Sequence, residues 1–321
     1  MTKQEGDSPE KWERDIVKKL AFSAITEQRR SRRWGIFFKF LMFAYLITLL
    51  VLWIPDQLPG TGLKTGDKHT ALVEVKGIIA DDTEASADNV ISGLRDAFED
   101  KKTKGVILRI NSPGGSPVQA GYINDEIHRL KKKHPDIPVY AVVSDLCASG
   151  GYYIAVGADE IYVDKASIIG SIGVLMSSFG LVEGMENLGV ERRLITAGEH
   201  KGIMDPFSPA EDFDRDYIKR MLEKIHQQFI AVVREGRGDR LKENEETFSG
   251  LFWTGEESVE MGLADALGSS SYVARDVIEA EEIVDFTAKE DIVERLAKRL
   301  GAGAASSLSR IWGVTAAPQI R

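Results

Sequence analysis

Val106 to Val143 reads VILRINSPGGSPVQAGYINDEIHRLKKKHPDIPVYAVV. Two short apolar runs, Val106 to Ile110 and Val139 to Val143, bracket an amphipathic stretch from Val118 to Lys132. That interval has the length of a strand, a crossover helix and a second strand parallel to the first. The same alternation extends to either side. Leu72 to Ile79 reads as a strand and Ala87 to Glu99 as a helix, while Ala210 to Arg234 has a helical pattern. Thr254 with Glu257 makes a capping box before a short helix that stops at Gly262. The pattern predicts an α/β layered domain built on a mainly parallel sheet, with no internal repeat.

The chain has 321 residues, 43% of them hydrophobic and 28% charged, a composition that specifies a folded protein. Its formal net charge of -9 argues against a nucleic-acid partner, because phosphate backbones are bound by clustered Lys and Arg. Cys147 is the single cysteine, so no intramolecular disulfide framework exists.

Gly35 to Ile54 reads GIFFKFLMFAYLITLLVLWI, twenty residues with one charge. As a helix it spans about 30 Å, the thickness of a bilayer core. Trp34 and Trp53 occupy aromatic-belt positions, and Pro55 ends the run. Arg29, Arg30, Arg32 and Arg33 crowd the N-terminal flank, whereas Pro55 to Gly66 offers only Lys64. The positive-inside rule then keeps the N-terminus cytoplasmic and puts the rest across the membrane. The expected organisation is a cytoplasmic segment 1–33, a transmembrane anchor 34–54, a tether 55–70, a catalytic domain 71–300 and a loose tail 301–321.

In parallel α/β sheets, chemistry gathers in loops at the carboxyl ends of strands. The loop Asn111-Ser112-Pro113-Gly114-Gly115-Ser116 can turn backbone N–H groups toward an anion, though a tight strand-to-helix turn needs glycine anyway. The loop Cys147-Ala148-Ser149-Gly150-Gly151-Tyr152-Tyr153 places a serine at the mouth of a helix, as nucleophile or as simple N-cap. The five histidines show no triad spacing, and neither HExxH nor a zinc-type Cys/His pair occurs. Lysine is the remaining base, and it works only where burial brings its pKa toward about 7 to 8. Lys201 lies in a loop of glycines and apolar residues, Ala197 to Phe207, that could fold over a site or lie on the surface.

Taken together, these loops resemble the bacterial signal peptide peptidase A proteases. The resemblance runs from Leu72 through Asn111–Gly115, Ala148–Tyr153, Ile169-Gly170-Ser171-Ile172-Gly173-Val174, the lysine loop and Trp253-Thr254-Gly255-Glu256-Glu257. It implies a fold similar to crotonases and Clp proteases and a Ser-Lys dyad. On it, Ser149 is the nucleophile, Lys201 the general base, Ser171 the hydroxyl that orients the lysine, and the N–H groups of Gly115 and Gly150 the oxyanion hole. No metal or cofactor is implied. Each motif occurs once, as in the short form of the family, whose members form ring- or dome-shaped homo-oligomers. The implied substrates are extended peptides such as released signal peptides, cut on the periplasmic side of a bacterial inner membrane. Sites shared between subunits are expected, because in the duplicated long form the serine and the lysine come from different halves. Three other readings stay open: a related membrane-bound Ser-Lys protease with a different substrate, a crotonase-like acyl-CoA enzyme, and a non-catalytic membrane scaffold.

Overall fold

The computed structural model describes residues 9–53 and 68–288, with side chains in the first stretch described mainly over 27–48. The expected tail at 301–321 and nearly all of the expected tether at 55–70 lie outside these residues. The chain divides into two compact units, Met1–Lys64 and Thr65–Arg321.

Among the described residues the first unit holds one helix, α1 (Pro9–Trp53), which runs unbroken through the boundary expected at residue 34. Its large apolar side chains are exposed from Trp34 to Ile47, with Phe40 at 77%. Among the described residues no helix is long and apolar enough to cross a membrane. The transmembrane helix expected over 34–54 is thus not found there. The apolar stretch with described side chains, 34–48, covers only about 22 Å at helical rise, short of a bilayer core. The remainder of the expected anchor falls outside the described side chains.

The second unit is an eight-stranded, mostly parallel sheet with helices packed on it. In chain order it comprises β1 (His69–Lys76), α2 (Ala87–Glu99), β2 (Thr103–Ser112), α3 (Pro117–Lys133), β3 (Val139–Ala148) and α4 (Gly150–Ala155). There follow β4 (Glu160–Val163), β5 (Ile168–Gly170), α5 (Val182–Asn187), α6 (Asp212–Arg237), β6 (Phe252–Thr254) and α7 (Gly255–Glu260). The unit closes with β7 (Ala266–Leu267), α8 (Ser270–Tyr272), a π-helical turn (Val273–Val277) and β8 (Ile283–Asp285). The expected strand, crossover helix and parallel strand are β2, α3 and β3. Among the described residues only β5 and β6 pair antiparallel.

Strand residues alternate between two buried faces, which is why these strands read as nearly continuous apolar runs. Val73, Val75, Val106, Leu108, Ile110, Val139 and Ala141 meet Leu94, Ile123, Ile127, Ile154 and Val233 in the main core. Leu72, Ile107, Val142 and Tyr162 point the other way, onto Val273 and Ala274. Each fully buried aliphatic side chain contributes roughly 1.5–3 kcal/mol. Helix ends are set by local chemistry. Ser86 caps α2 by accepting from Asn89 N, and Ser116 caps α3, with Pro117 in its first turn. Glu126 on α3 joins the two helices, receiving Arg95 Nε and Arg129 Nε at 2.7 Å each. Those guanidiniums, Arg129 foremost, pull its carboxyl down to about 2.

One irregularity positions the site. The first half of β3, Tyr140–Val142, pairs with β4, whereas its second half, Leu146–Ala148, pairs with β5. A register shift in its pairing with β2 falls between Ile110 and Ser112. The fork carries the end of β3 away from β4 and beside β5.

Candidate active site

Ala148 ends β3 opposite Gly170 at the end of β5, so Ser149 and Ser171 emerge side by side. Ser149 N donates to Gly170 O at 2.9 Å, and Tyr153 N donates to Ser149 O at 3.0 Å. These bonds hold Ser149 at φ 51, ψ -120, on the left-handed side where side chains are costly. Ser171 has φ 52, held by its N–H on Leu251 O at 2.7 Å. Ser149 is half-buried, and its hydroxyl makes no hydrogen bond among the described residues.

The glycine loop after β2 packs directly against this turn. Ile79 N donates to Gly114 O at 2.9 Å and Ser116 N donates to Ile79 O at 2.7 Å, a parallel bridge between Ile79 and Gly115. In such a bridge the middle residue of the partner segment directs its own N–H to the opposite side. That turns Gly115 N away from Ile79, and the close approach excludes a side chain, since a Cβ on Gly115 would lie 2.1 Å from Ile79 O. A Cβ on Gly114 would lie 2.7 Å from both Gly150 N and Ser149 Cβ. The two loops therefore interlock through glycine. Among the described residues neither Gly115 N nor Gly150 N finds a backbone acceptor.

Ser149, Ser171, Gly115 and Gly150 all line one cleft of about 570 Å³. Its walls are largely apolar: Pro113, Pro117, Tyr153, Val174, Leu175 and Phe229. Gln228 and Ser249 add polar groups. A hydroxyl in a slot lined by apolar side chains, with two nearby N–H groups that have no backbone acceptor among the described residues, suits attack on a carbonyl and stabilisation of the resulting oxyanion.

Lys201 is not brought to this cleft. It is exposed, in a series of turns where Lys201 N donates to Gly198 O and Ile203 N to His200 O. The loop rests on the start of α6 through stacking of His200 on Phe213, with ring centroids 4.4 Å apart. Among the described residues the Lys201 side chain makes no ion pair. The structure thus assembles four of the five expected site residues and leaves the lysine apart. His226 turns its Nε2 to Ile172 O at 3.0 Å and does not line the cleft.

Sequence reasoning missed the wall supplied by α6, where Ile225, Gln228 and Phe229 face the cleft. Their spacing of three and four residues marks one helical face and is the signal that could have found them. It missed the strain at Ser149 altogether, since no residue type announces it.

Residues 131–284 match the model of peptidase family S49. A protein of Enterococcus faecium with the provisional name signal peptide peptidase SppA is 31% identical over 232 residues, 70% of this chain and 67% of that protein. A protein of Synechocystis provisionally named a protease is 32% identical over 202 residues, 63% of this chain and 70% of its own length. The Na(+)/H(+) antiporter NhaA of Brucella melitensis is 46% identical over 175 residues, 54% of this chain. The chain spans only 24% of that longer protein.

Proposed function

The chain belongs to peptidase family S49, the family of the signal peptide peptidase A proteases, and from that premise we propose that it is a membrane-anchored serine endopeptidase acting on extended peptides. Ser149 Oγ attacks the scissile carbonyl carbon while its proton passes to neutral Lys201 Nζ, with Ser171 orienting the amine. Gly115 N and Gly150 N hold the oxyanion. Collapse breaks the C–N bond and Lys201 returns the proton to the departing amine; water then attacks the acyl-serine, giving a proton to Lys201, which passes it to Ser149 Oγ as the acid leaves. The observation that carries this reading is the strained Ser149 turn at a cleft beside two backbone N–H groups that have no backbone acceptor among the described residues. A mainly parallel sheet with glycine loops at its strand ends also accords with the crotonase and Clp-protease likeness.

Membrane anchoring is supported by the exposed apolar side chains of α1 and by the arginines before Trp34. The catalytic unit is then periplasmic. Released signal peptides are the substrate class that such a location supplies. Assembly into a homo-oligomer is supported by the segment between β5 and α6. There Leu175, Phe179, Leu188 and Ile195 are 80–95% exposed, a concentration of large apolar side chains that a second copy would cover. The antiporter's name describes that longer protein.

Two experiments test this reading. A serine-reactive fluorophosphonate should label the wild type and not Ser149→Ala, and equal labelling of both would remove Ser149 as nucleophile. Alkaline phosphatase fused after Pro55 should be active, because it folds only where disulfides form. An inactive fusion beside a working cytoplasmic reporter reverses the orientation.

A further inference from the structure

At the amino-terminal ends of the parallel strands, opposite the Ser149 cleft, lies a second cleft of about 390 Å³. Lys68 enters it just before β1, Lys101, Lys102 and Lys104 from the turn into β2, and Lys133 from the end of α3. Asp136 is the one carboxylate in its lining. Five lysines with Asp136 in the lining and Glu279 acting on Lys104 from outside it make a sharp local excess in a chain whose net charge is -9. Among the described residues none of the five lysines makes an ion pair. Asp100, the nearest acid in sequence, accepts from the Lys102 backbone N–H at 2.8 Å and lies 3.9 Å from His69 Nε2.

Helix-dipole complementarity accounts for a lysine at the end of α3. It does not account for four more that come from other elements. Their convergence has a cost, visible at Lys104, whose pKa is lowered chiefly by the neighbouring Lys68 amine, with Glu279 acting in the opposite direction. In the same cleft His134 keeps a buried Nε2 without a hydrogen-bond partner among the described residues. Clustered ammonium donors on flexible stems suit a phosphate group, which can accept from several at once.

We propose that this lysine-lined cleft binds the phosphate of an anionic lipid headgroup and so docks the catalytic unit on the membrane that anchors the chain. The proposal rests on the membrane-anchored reading. Fourteen residues lie between Trp53 and Lys68, a reach of at most about 50 Å, so the lysines stay within that distance of the end of the apolar run. Near an anionic surface each lysine gains about 1 kcal/mol, so five acting together outweigh the repulsion of an acidic protein. Docked by this edge, the strands stand with their carboxyl ends and the Ser149 cleft away from the lipid, open to peptides.

The test uses the full chain in lipid nanodiscs of phosphatidylcholine alone or mixed with phosphatidylglycerol, with lysine acylation read by mass spectrometry. Lys68, Lys101, Lys102, Lys104 and Lys133 should react about fivefold more slowly in the anionic discs, the factor for about 1 kcal/mol per lysine. Exposed Lys165 and Lys242 should be unchanged. In the triple variant Lys101→Gln, Lys102→Gln, Lys104→Gln, protection of Lys68 and Lys133 should vanish while peptidase activity in phosphatidylcholine discs stays at the wild-type level. Equal reactivity in the two discs, or equal slowing of Lys165 and Lys242, overturns the proposal. Protection by inorganic phosphate in detergent without protection in anionic discs overturns the lipid as the source of the phosphate. Failure of the chain to co-elute with discs defeats the anchored reading, and the headgroup proposal with it. Entry into the discs without protection defeats the headgroup proposal alone.

Discussion

At Ser149 the backbone adopts φ 51, ψ -120, a conformation that glycine enters freely and serine enters at a cost of about 1–3 kcal/mol. The cost is imposed by the Ser149 N to Gly170 O bond and by interlocking with Gly114, which leave the turn no alternative. The hydroxyl makes no hydrogen bond among the described residues that would offset it. Strain held in place with no local structural return is the mark of a residue kept for its chemistry. Two substitutions separate strain from function. Ser149→Ala keeps the Cβ, so its stability should lie within about 0.5 kcal/mol of the wild type. Ser149→Gly should be more stable by about 1 kcal/mol after allowing for glycine's greater freedom in the unfolded chain. Both should lose fluorophosphonate labelling. Urea unfolding decides the matter, and a glycine variant less stable than the alanine variant would show that the turn is not strained.

Among the elements, α2 and α3 show what holds the sheet's cover together. Glu126 is almost fully buried and bridges Arg95 of α2 and Arg129 of α3, with both arginines half-exposed. Because its folded pKa of about 2 lies below the unfolded value near 4.3, its contribution to stability is complete above the unfolded value. It is lost as pH falls from there toward 2. Glu126→Gln should cost about 2 kcal/mol at pH 7, the scale of charge-assisted hydrogen bonds. Urea unfolding at a series of pH values should show the gap between variant and wild type closing below about pH 4. A gap that does not depend on pH would mean that the bridge contributes through shape alone. These helices were also the most legible parts of the sequence. The strong amphipathic pattern of α2 and its Ser86 cap fix Ala87–Glu99, and Thr254 with Glu257 forms the expected capping box. The strands were read less well, for physical reasons. β1 runs over His69–Lys76 and not Leu72–Ile79, because Gly77 turns the chain at φ 81 and sends Ile79 to bridge Gly115. β3 runs past Val143 to Ala148 through polar Ser144 and Asp145, which hide its continuation. The three-residue strands β5 and β6 are too short to show any period, yet they hold Ser171 beside Ser149. The residue types of the two glycine loops pointed to the cleft, whereas its α6 wall depended on a helix face whose partner the sequence does not name.

For the whole molecule, the separation of Lys201 from Ser149 is the fact that most constrains how the protein works. The cleft holds Ser149 with Gly115 and Gly150, while Lys201 stands exposed in a loop outside it. The proposed proton transfer requires the amine within hydrogen-bond reach of the hydroxyl, and on that proposal a single chain holds two half-sites. The same region carries the exposed Leu175, Phe179, Leu188 and Ile195, side chains that association would bury along with the lysine. Burial in an interface is also what a lysine base needs, because desolvation disfavours the ammonium form. The expected outcome is that one protomer lends Lys201 to its neighbour's Ser149. Lys201→Ala and Lys201→Arg should each abolish peptidase activity in a homogeneous assembly, the latter because a guanidinium stays protonated. Mixing Ser149→Ala and Lys201→Ala chains in equal amounts gives each shared site about one chance in four of drawing both intact residues, so about a quarter of wild-type activity should return. A dyad built within one chain permits no recovery, since every chain lacks one member. Differently tagged subunits establish that mixed assemblies have formed. If they have formed and activity stays at background, the lysine comes from the same chain as the serine, and the loop from Ala197 to Phe207 must fold inward to bring it there.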